Sequence, residues 1–218
     1  MSLALGKARS ASHAGGHWFK SSIVHHHTPP REPAITIRPW TLRQRTLAFV
    51  ARPWVELHDD TWEMPDGRLR TGFHHIVLPE YSLVVPVTVD GRFVMIREFK
   101  TGPAQIVLNA PAGGLHAGET AIECARRELL EETGYAADDW RLLGRFMVDG
   151  STGGGIGNLF LARGARRVAD PKLDDTEEIE VTLLDEAALR AALMSHAIAM
   201  MPTACAVGLA LVAYTAVP

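Results

Sequence analysis

Apolar runs separated by turn residues predict paired strands in the middle of the chain. Residues 82–89 and residues 92–99 both read as strands, and Asp90 and Gly91 between them are a hairpin signal. Residues 106–109 form a third, shorter apolar run that leads directly into a glycine-rich loop. The pattern therefore predicts an antiparallel hairpin and a third strand immediately before that loop.

After the loop, the apolar positions change from a strand pattern to a helical one. Three of them recur at helical spacing: Ile122, Ala125 and Leu129. Thr120 followed by Glu123 is a capping box, which predicts that the helix begins at Ala121. The chain is expected to leave this helix at Gly134, because glycine adopts the left-handed conformation at low cost.

The remainder of the chain predicts more strands and two further helices. The strands are predicted over residues 141–148, 158–162 and 179–184. Residues 150–157 are rich in glycine, which predicts a mobile loop. Asp185 is the predicted N-cap of a helix through about Ser195, and Thr203 is the predicted N-cap of a closing helix. Residues 197–217 are uncharged and long enough to span a bilayer, but alanine dominates them and a proline interrupts them, so a buried helix is favoured.

The N-terminal part divides into a tail and a strand-rich extension. Residues 1–34 are predicted to be a flexible tail. Residues 1–31 contain no acidic residue, and an organelle transit peptide or an upstream start codon would also explain that composition. The three histidines at 25–27 could bind a metal, although adjacent histidines in a tail are more often incidental. Residues 35–75 predict short strands and turns, with the clearest turn at 65–67. Residues 76–218 form the main predicted domain.

Composition narrows the class of protein. The chain has 218 residues, 47% of them apolar, which is enough for one sizeable core. Its formal net charge of −3 gives no basic bias, which disfavours a nucleic-acid polymer as partner. Cys124 and Cys205 are the two cysteines, and both fall in predicted helices. They favour buried packing in a reducing compartment, and hence a cytoplasmic protein, over a disulfide framework.

The chemistry is concentrated on the helix that follows the glycine-rich loop. Three acidic residues share one face of one turn: Glu128, Glu131 and Glu132. Their charges repel each other unless a cation lies among them, and oxygen ligands of this kind suit Mg²⁺ or Mn²⁺. The alternative is a solvated acidic helix face, which the preceding glycines at 113, 114 and 118 disfavour.

The segment from Gly113 to Tyr135, GGLHAGETAIECARRELLEETGY, resembles the Nudix box. The matching positions are Gly113, Glu119, Arg127, Glu128, Glu131, Glu132 and Gly134. The resemblance covers roughly residues 76–214, and the box is its only highly specific part. It implies an α/β fold, namely an α/β/α sandwich around a mixed sheet. It also implies metal-dependent hydrolysis of a nucleoside diphosphate linked to a second group.

The same resemblance implies a set of metal ligands. Glu128 and Glu132 are expected to be the principal ligands, and Glu131 is expected to complete a second or third ion site. The backbone carbonyl of Ala112, in a predicted turn at 111–113, would supply a further ligand.

Other charged residues are expected to support the metal ligands or to bind substrate. Arg127 is expected to orient a ligand carboxylate, and Glu119 to hold the loop against the helix. Arg97 and Lys100 are assigned to the substrate, with Lys100 contacting a phosphate as a point charge.

One family branch carries its general base on the loop before the last strand, which here is residues 172–179. Glu177 is the first candidate for this base and Asp175 the second. A solvated acidic loop would explain the same residues equally well.

The branch that the chain most resembles is that of the ADP-ribose and nucleotide-sugar pyrophosphatases. The similar features are the approach to the box at 109–113, the turn at 64–67 and the acidic loop. The chain departs from the branch at Glu98-Phe99-Lys100, where Gln-aromatic-Arg is common, and at Asn109, where Glu is usual. ADP-ribose enzymes also carry a proline about sixteen residues beyond the box, and this chain has none there.

The function expected from this resemblance is hydrolysis of ADP-ribose or a related nucleoside diphosphate sugar to a nucleoside monophosphate and a sugar phosphate, with Mg²⁺ or Mn²⁺. The alternatives are a ligand-sensing module without catalysis and a house-cleaning hydrolase of other small nucleotides. The substrate is a small molecule, and no membrane is expected. In the branch that the chain resembles, N-terminal strands of this kind commonly build a dimer, so the resemblance implies a homodimer. Three tryptophans are stacking candidates for a base, although packing alone would also explain them: Trp40, Trp54 and Trp62.

Overall fold

The computed structural model describes residues 36–215. The elements in this part of the chain are β1 (Thr41–Ala51), β2 (Val55–Glu63), β3 (Leu69–Val77), β4 (Tyr81–Thr88), β5 (Phe93–Lys100), β6 (Gln105–Asn109), β7 (Ala112–Gly114), α1 (Ala121–Thr133), β8 (Tyr135–Ala136), β9 (Asp139–Met147), β10 (Ile156–Arg167), β11 (Ile179–Leu184), α2 (Glu186–Met194) and α3 (Met201–Thr215). The predicted tail of residues 1–34, with its histidines at 25–27, lies outside the described residues.

The first three strands form an antiparallel sheet of their own in the order β1-β2-β3. The predicted turn between β2 and β3 is confirmed, since the backbone N–H of Gly67 donates to the carbonyl of Met64 at 2.9 Å. The strands are longer than the sequence indicated, with 11, 9 and 9 residues. Every residue of β1 is exposed to solvent.

The second sheet contains the other eight strands, with the main order β11-β5-β4-β10-β8. β6 pairs with β5, β7 with β4 and β9 with β10. β10 runs parallel to β4, whereas β5, β7 and β9 each run antiparallel to the strand they pair with, so the sheet is mixed. The predicted hairpin is confirmed where Val87 pairs with Phe93, and the N–H of Gly91 donates to the carbonyl of Thr88 at 3.0 Å.

Helices cover both faces of this mixed sheet. Successive residues of β4 enter different clusters, because side chains alternate between the faces of a strand. Val84 packs in one cluster with Ala125 and Leu129 of α1. Leu83 and Val85 pack in the other cluster with residues of the last two helices, among them Leu189, Ala206 and Val207. The predicted α/β/α sandwich is therefore confirmed.

The capping signals at α1 and α2 are confirmed, but the one at α3 is wrong. Thr120 and Glu123 form the capping box of α1, and Asp185 caps α2. α3 begins at Met201, so Thr203 lies inside its first turn. Its buried hydroxyl donates instead to the side-chain oxygen of Asn109. The side chain of Thr203 therefore binds a residue of β6 and does not cap the N-terminus of α3.

Two smaller expectations need correction. Cys124 is buried as predicted, but Cys205 is exposed on α3, and both thiols are free. Ala112 lies in the short strand β7 and not in a turn, because residues 112–114 pair with β4. Among the described residues, no helix is long and apolar enough to cross a bilayer.

Candidate active site

The glycines of the box are required by close contacts. A Cβ atom at Gly113 would lie 1.9 Å from Oε1 of Glu128, so only glycine allows this carboxylate to lie against β7. Gly134 ends α1 with φ 73°, and a Cβ there would lie 2.1 Å from the carbonyl oxygen of Ala169. The two glycines therefore fix both the carboxylate and the exit of the chain from the helix.

Arg127 is the cation around which most of the box is organised. Its Nε donates to Glu119 at 2.8 Å, and its Nη1 donates to Glu128 at 2.6 Å and to Glu131 at 3.0 Å. Its Nη2 also donates to the carbonyl of Gly114 at 3.0 Å, which joins the loop to the helix. The guanidinium group lowers the pKa of Glu119 to about 2. Arg127 therefore offsets the repulsion between Glu128 and Glu131.

Glu132 lies apart from this guanidinium group. Its side chain accepts a hydrogen bond from the backbone N–H of Ala112 at 3.0 Å, and the residue is 4% exposed. Burial, with a further contribution from the charge of Glu128, raises the pKa of Glu132 to about 9. The pKa of Glu128 is also raised, first by burial, although Arg127 opposes the shift.

The register of β7 indicates the direction of the Ala112 carbonyl. Pro111 accepts a hydrogen bond from Val84 of β4 at 3.0 Å. Alternate residues of an antiparallel strand direct their backbone groups to opposite edges. The N–H and carbonyl of Ala112 therefore face away from β4, and the N–H binds Glu132 there. The carbonyl predicted as a ligand lies on the same edge as that carboxylate.

These donors fit a hard divalent cation. The acidic groups are oxygen ligands, and because burial and the charge of Glu128 raise the pKa of Glu132, a cation beside it would favour its ionised form. Among the described residues, no group of three or more His, Cys, Asp or Glu side chains has closed into a metal-binding cluster, and Arg127 contacts the oxygens of two of the predicted ligands. A cation bound at Glu128 would have to share or displace the contact with Arg127.

The acidic loop before β11 brings Glu177 close to the box. A cavity of about 460 Å³ is lined by Glu177 together with Arg127, Glu128 and Glu131, and the charge of Glu177 contributes to the raised pKa of Glu128. The backbone N–H of Asp174 donates to the Glu177 carboxylate at 3.0 Å and so holds the loop in shape.

The second candidate base, Asp175, is placed differently. Asp175 lines a separate cavity of about 520 Å³, which Glu177, Glu98 and Lys100 also line. Asp174, which the sequence did not single out, lines the cavity beside the box instead. Of the two candidate bases, Glu177 alone lines both the cavity beside the box and the cavity that contains Lys100.

The two basic residues assigned to substrate lie in different places. Lys100 forms an ion pair with Glu98 at 2.6 Å and lines the cavity that Glu177 also lines. Arg97 does not lie with Lys100 and Glu177, because side chains alternate along β5 and that of Arg97 is on the opposite face of the sheet from Lys100. There it is exposed and lies 3.9 Å from Glu180 of β11.

Two further cavities adjoin the loop between β9 and β10. One of about 330 Å³ lies beside Gly113 and is mainly apolar; of the described residues that line it, Lys100 alone is charged. The other, of about 420 Å³, has an aromatic wall on the N-terminal sheet. Its aromatic residues are Trp40, Trp62 and Phe73, and Arg45 and the buried Asp60 also line it. Trp54 lines the acidic cavity beside the box instead.

Residues 79–202 match the family model of the NUDIX domain. The chain belongs to the NUDIX family. This finding confirms the predicted family, fold and enzyme class, which is a Nudix-type hydrolase. Nudix hydrolases generally depend on a divalent metal, in agreement with the oxygen donors described above.

Curated relatives fall into more than one functional class. The chain is 30% identical over 147 residues to the ADP-ribose pyrophosphatase of Bacillus subtilis, covering 65% of this chain and 78% of that protein. It is 32% identical over 138 residues to the methanol dehydrogenase activator of Bacillus methanolicus, covering 61% and 73% respectively. Over 59 residues it is 42% identical to phosphatase NudJ of Escherichia coli K12, covering 27% and 37%.

A solved structure of an ADP compounds hydrolase has the same fold. It superposes with a TM-score of 0.69 at 21% sequence identity and covers 80% of this chain and 93% of that chain. At this identity the likeness supports the fold alone.

Proposed function

We propose that the protein hydrolyses the diphosphate linkage of ADP-ribose or a related nucleoside diphosphate sugar, giving a nucleoside monophosphate and a sugar phosphate. The observation that carries this proposal is the pair of buried carboxylates Glu128 and Glu132, which lie beside Glu177 and Lys100. The similarity to the ADP-ribose pyrophosphatase of Bacillus subtilis supports the choice of substrate class.

The metal ligands in this proposal are Glu128, Glu131, Glu132 and the carbonyl of Ala112. Mg²⁺ or Mn²⁺ bound there would acidify water and neutralise charge on phosphate oxygens. Arg127 holds Glu128 and Glu131 in place before the metal binds. A pure binding module would have no chemical need for such a cluster, because burying clustered carboxylates costs free energy.

The protein's own side chains supply the remaining steps. Glu177 accepts the proton of the attacking water, with Asp175 as the alternative base. Glu177 suits this role because it lines the cavity next to the box and is oriented by the N–H of Asp174. Lys100 binds a phosphate oxygen through its ammonium group.

The aromatic cavity is the proposed site for the nucleobase. Trp40 and Phe73 lie edge to face with ring centroids 5.8 Å apart, and Trp62 lines the same cavity. A planar base would stack on such side chains and hydrogen-bond to neighbouring polar groups. The loop that lines this cavity also lines the apolar cavity beside Gly113.

A homodimer is part of the same proposal. Four large apolar side chains are exposed on β1: Leu42, Leu47, Phe49 and Val50. A second copy of this sheet would cover them, whereas a monomer would leave a large apolar surface in water. Sedimentation of the purified protein tests this point, and a monomer at micromolar concentration would contradict it.

The test of the hydrolytic function is product analysis by chromatography across a panel of nucleoside diphosphate compounds with Mg²⁺ or Mn²⁺. A nucleoside monophosphate and a sugar phosphate in equal amounts are expected from at least one compound.

A further inference from the structure

A chain of buried polar groups runs from α3 to the candidate active site. The hydroxyl of Thr203 donates to Oδ1 of Asn109, whose Nδ2 donates to Oε1 of Glu98 at 2.7 Å. Oε2 of Glu98 then forms an ion pair with Nζ of Lys100 at 2.6 Å. The first three residues are 0%, 2% and 7% exposed. Side chains from α3, β6 and β5 are therefore linked in series to the ammonium group of Lys100.

This chain fixes the orientation of each member. Because Asn109 accepts with its oxygen and donates with its nitrogen, its amide cannot flip without losing both bonds. Glu98 has a partner on each oxygen, which a buried carboxylate requires. The flexible four-carbon stem of Lys100 would otherwise leave its ammonium group free to move over several ångströms.

The ammonium group is held beside the reacting centre. Lys100 lines both the apolar cavity next to Gly113 and the cavity of about 520 Å³ that Glu177 also lines. A diphosphate held by a metal ion at the box carboxylates would therefore lie within reach of this ammonium group.

We propose that Glu98 is a positioning residue that holds the Lys100 ammonium group ready for a phosphate of the substrate, and that Asn109 and Thr203 hold Glu98. Glu98 does not itself touch the substrate, because it is almost fully buried and both its oxygens are occupied. This inference rests on the proposed hydrolysis of a nucleoside diphosphate.

The substitution Glu98→Gln tests it, because glutamine keeps an acceptor for Asn109 and loses the charge that holds Lys100. We expect KM for the hydrolysed substrate, and Kd for ADP with Mg²⁺ by calorimetry, to rise by roughly tenfold, since a charge-assisted hydrogen bond to phosphate is weakened. The value of kcat should change far less, which is the signature of a lost ground-state contact. A thermal melt checks that the variant is folded.

The matched background is Lys100→Ala. In that background Glu98→Gln should have no further effect on KM or on Kd for ADP, because the residue through which Glu98 acts is absent. Thr203→Val should raise KM in the same direction by a smaller factor, and it should also have no effect when Lys100 is alanine. Such loss of effect would distinguish positioning from a general structural role.

The inference is overturned if Glu98→Gln leaves KM and Kd unchanged or lowers them, or if its full effect persists in the Lys100→Ala background. It is also overturned if the loss falls on kcat alone. A wild-type protein that neither binds ADP nor hydrolyses any panel compound would instead overturn the proposed function, and this inference with it.

Discussion

Replacing Glu132 by glutamine should stabilise the metal-free protein while it removes activity. Glu132 is 4% exposed, and burial with the nearby charge of Glu128 raises its pKa from 4.5 to about 9. Because the folded pKa lies above the unfolded one, the native state binds the proton more tightly. Stability is therefore lost as pH rises from 4.5 towards 9, because the carboxyl group ionises in the unfolded chain while the buried one keeps its proton.

The size of this loss in the free energy of unfolding follows from the difference between the pH of the assay and the pKa of Glu132 in the unfolded chain. At pH 7 this difference costs about 3 kcal/mol at 1.36 kcal/mol for each pH unit. Glutamine cannot ionise, and its oxygen can still accept the hydrogen bond from the N–H of Ala112. For a chain of this size the gain corresponds to a rise in Tm of roughly 6–12 °C.

Calorimetry or fluorescence melts in the presence of a chelator measure this effect. The wild-type Tm should fall between pH 5 and pH 9, and the Glu132→Gln protein should lose most of that dependence. Adding Mg²⁺ should raise the wild-type Tm and have a much smaller effect on the variant, because a ligand that binds the native state stabilises it. Turnover should fall by at least 10²-fold if Glu132 binds the metal. A metal-free variant that is no more stable than wild type, or one that retains near-normal turnover, would refute this reasoning.

Two further substitutions test the loop and the base. Gly113→Ala should displace the Glu128 carboxylate, because the new Cβ would lie 1.9 Å from its Oε1. Turnover should drop at least tenfold, whereas Gly114→Ala, whose Cβ meets no atom within 4 Å, should act as a near-normal control in the same steady-state assay. Glu177→Gln should lower kcat by roughly 10²–10⁴-fold with little change in metal affinity. The control Asp175→Asn should have a small effect, and a large loss in that variant alone would transfer the role of base to Asp175.

Local signals predicted the elements well because their causes are local. The capping box of Thr120 and Glu123 sets the start of α1, and Gly134 sets its end, each through contacts within a few residues. The hairpin between β4 and β5 follows in the same way from its turn. β7 was missed because three residues are too short for a period, and its pairing with β4 depends on distant sequence.

Contacts between residues that are far apart in the chain could not be predicted, because no local pattern specifies them. The hydrogen bond from Thr203 joins residues that are 94 positions apart, and a buried partner of this kind outweighed the capping preference of threonine. The sequence showed three like charges on one turn, but not that Arg127 would contact two of them while Glu132 stayed apart. Nor could it show which face of β5 carries Lys100 towards the site, since that depends on the register of the sheet.

The measurement that tests the central claim most directly is chromatography of the products formed from ADP-ribose and related nucleoside diphosphate sugars. With Mg²⁺ or Mn²⁺, wild-type protein should release a nucleoside monophosphate and a sugar phosphate in equal amounts from at least one compound. Release should stop with a chelator and in the Glu132→Gln variant. If calorimetry shows that the wild-type protein binds such a compound and chromatography finds it intact after prolonged incubation with metal, the protein is a sensing module, and hydrolysis at this site is contradicted.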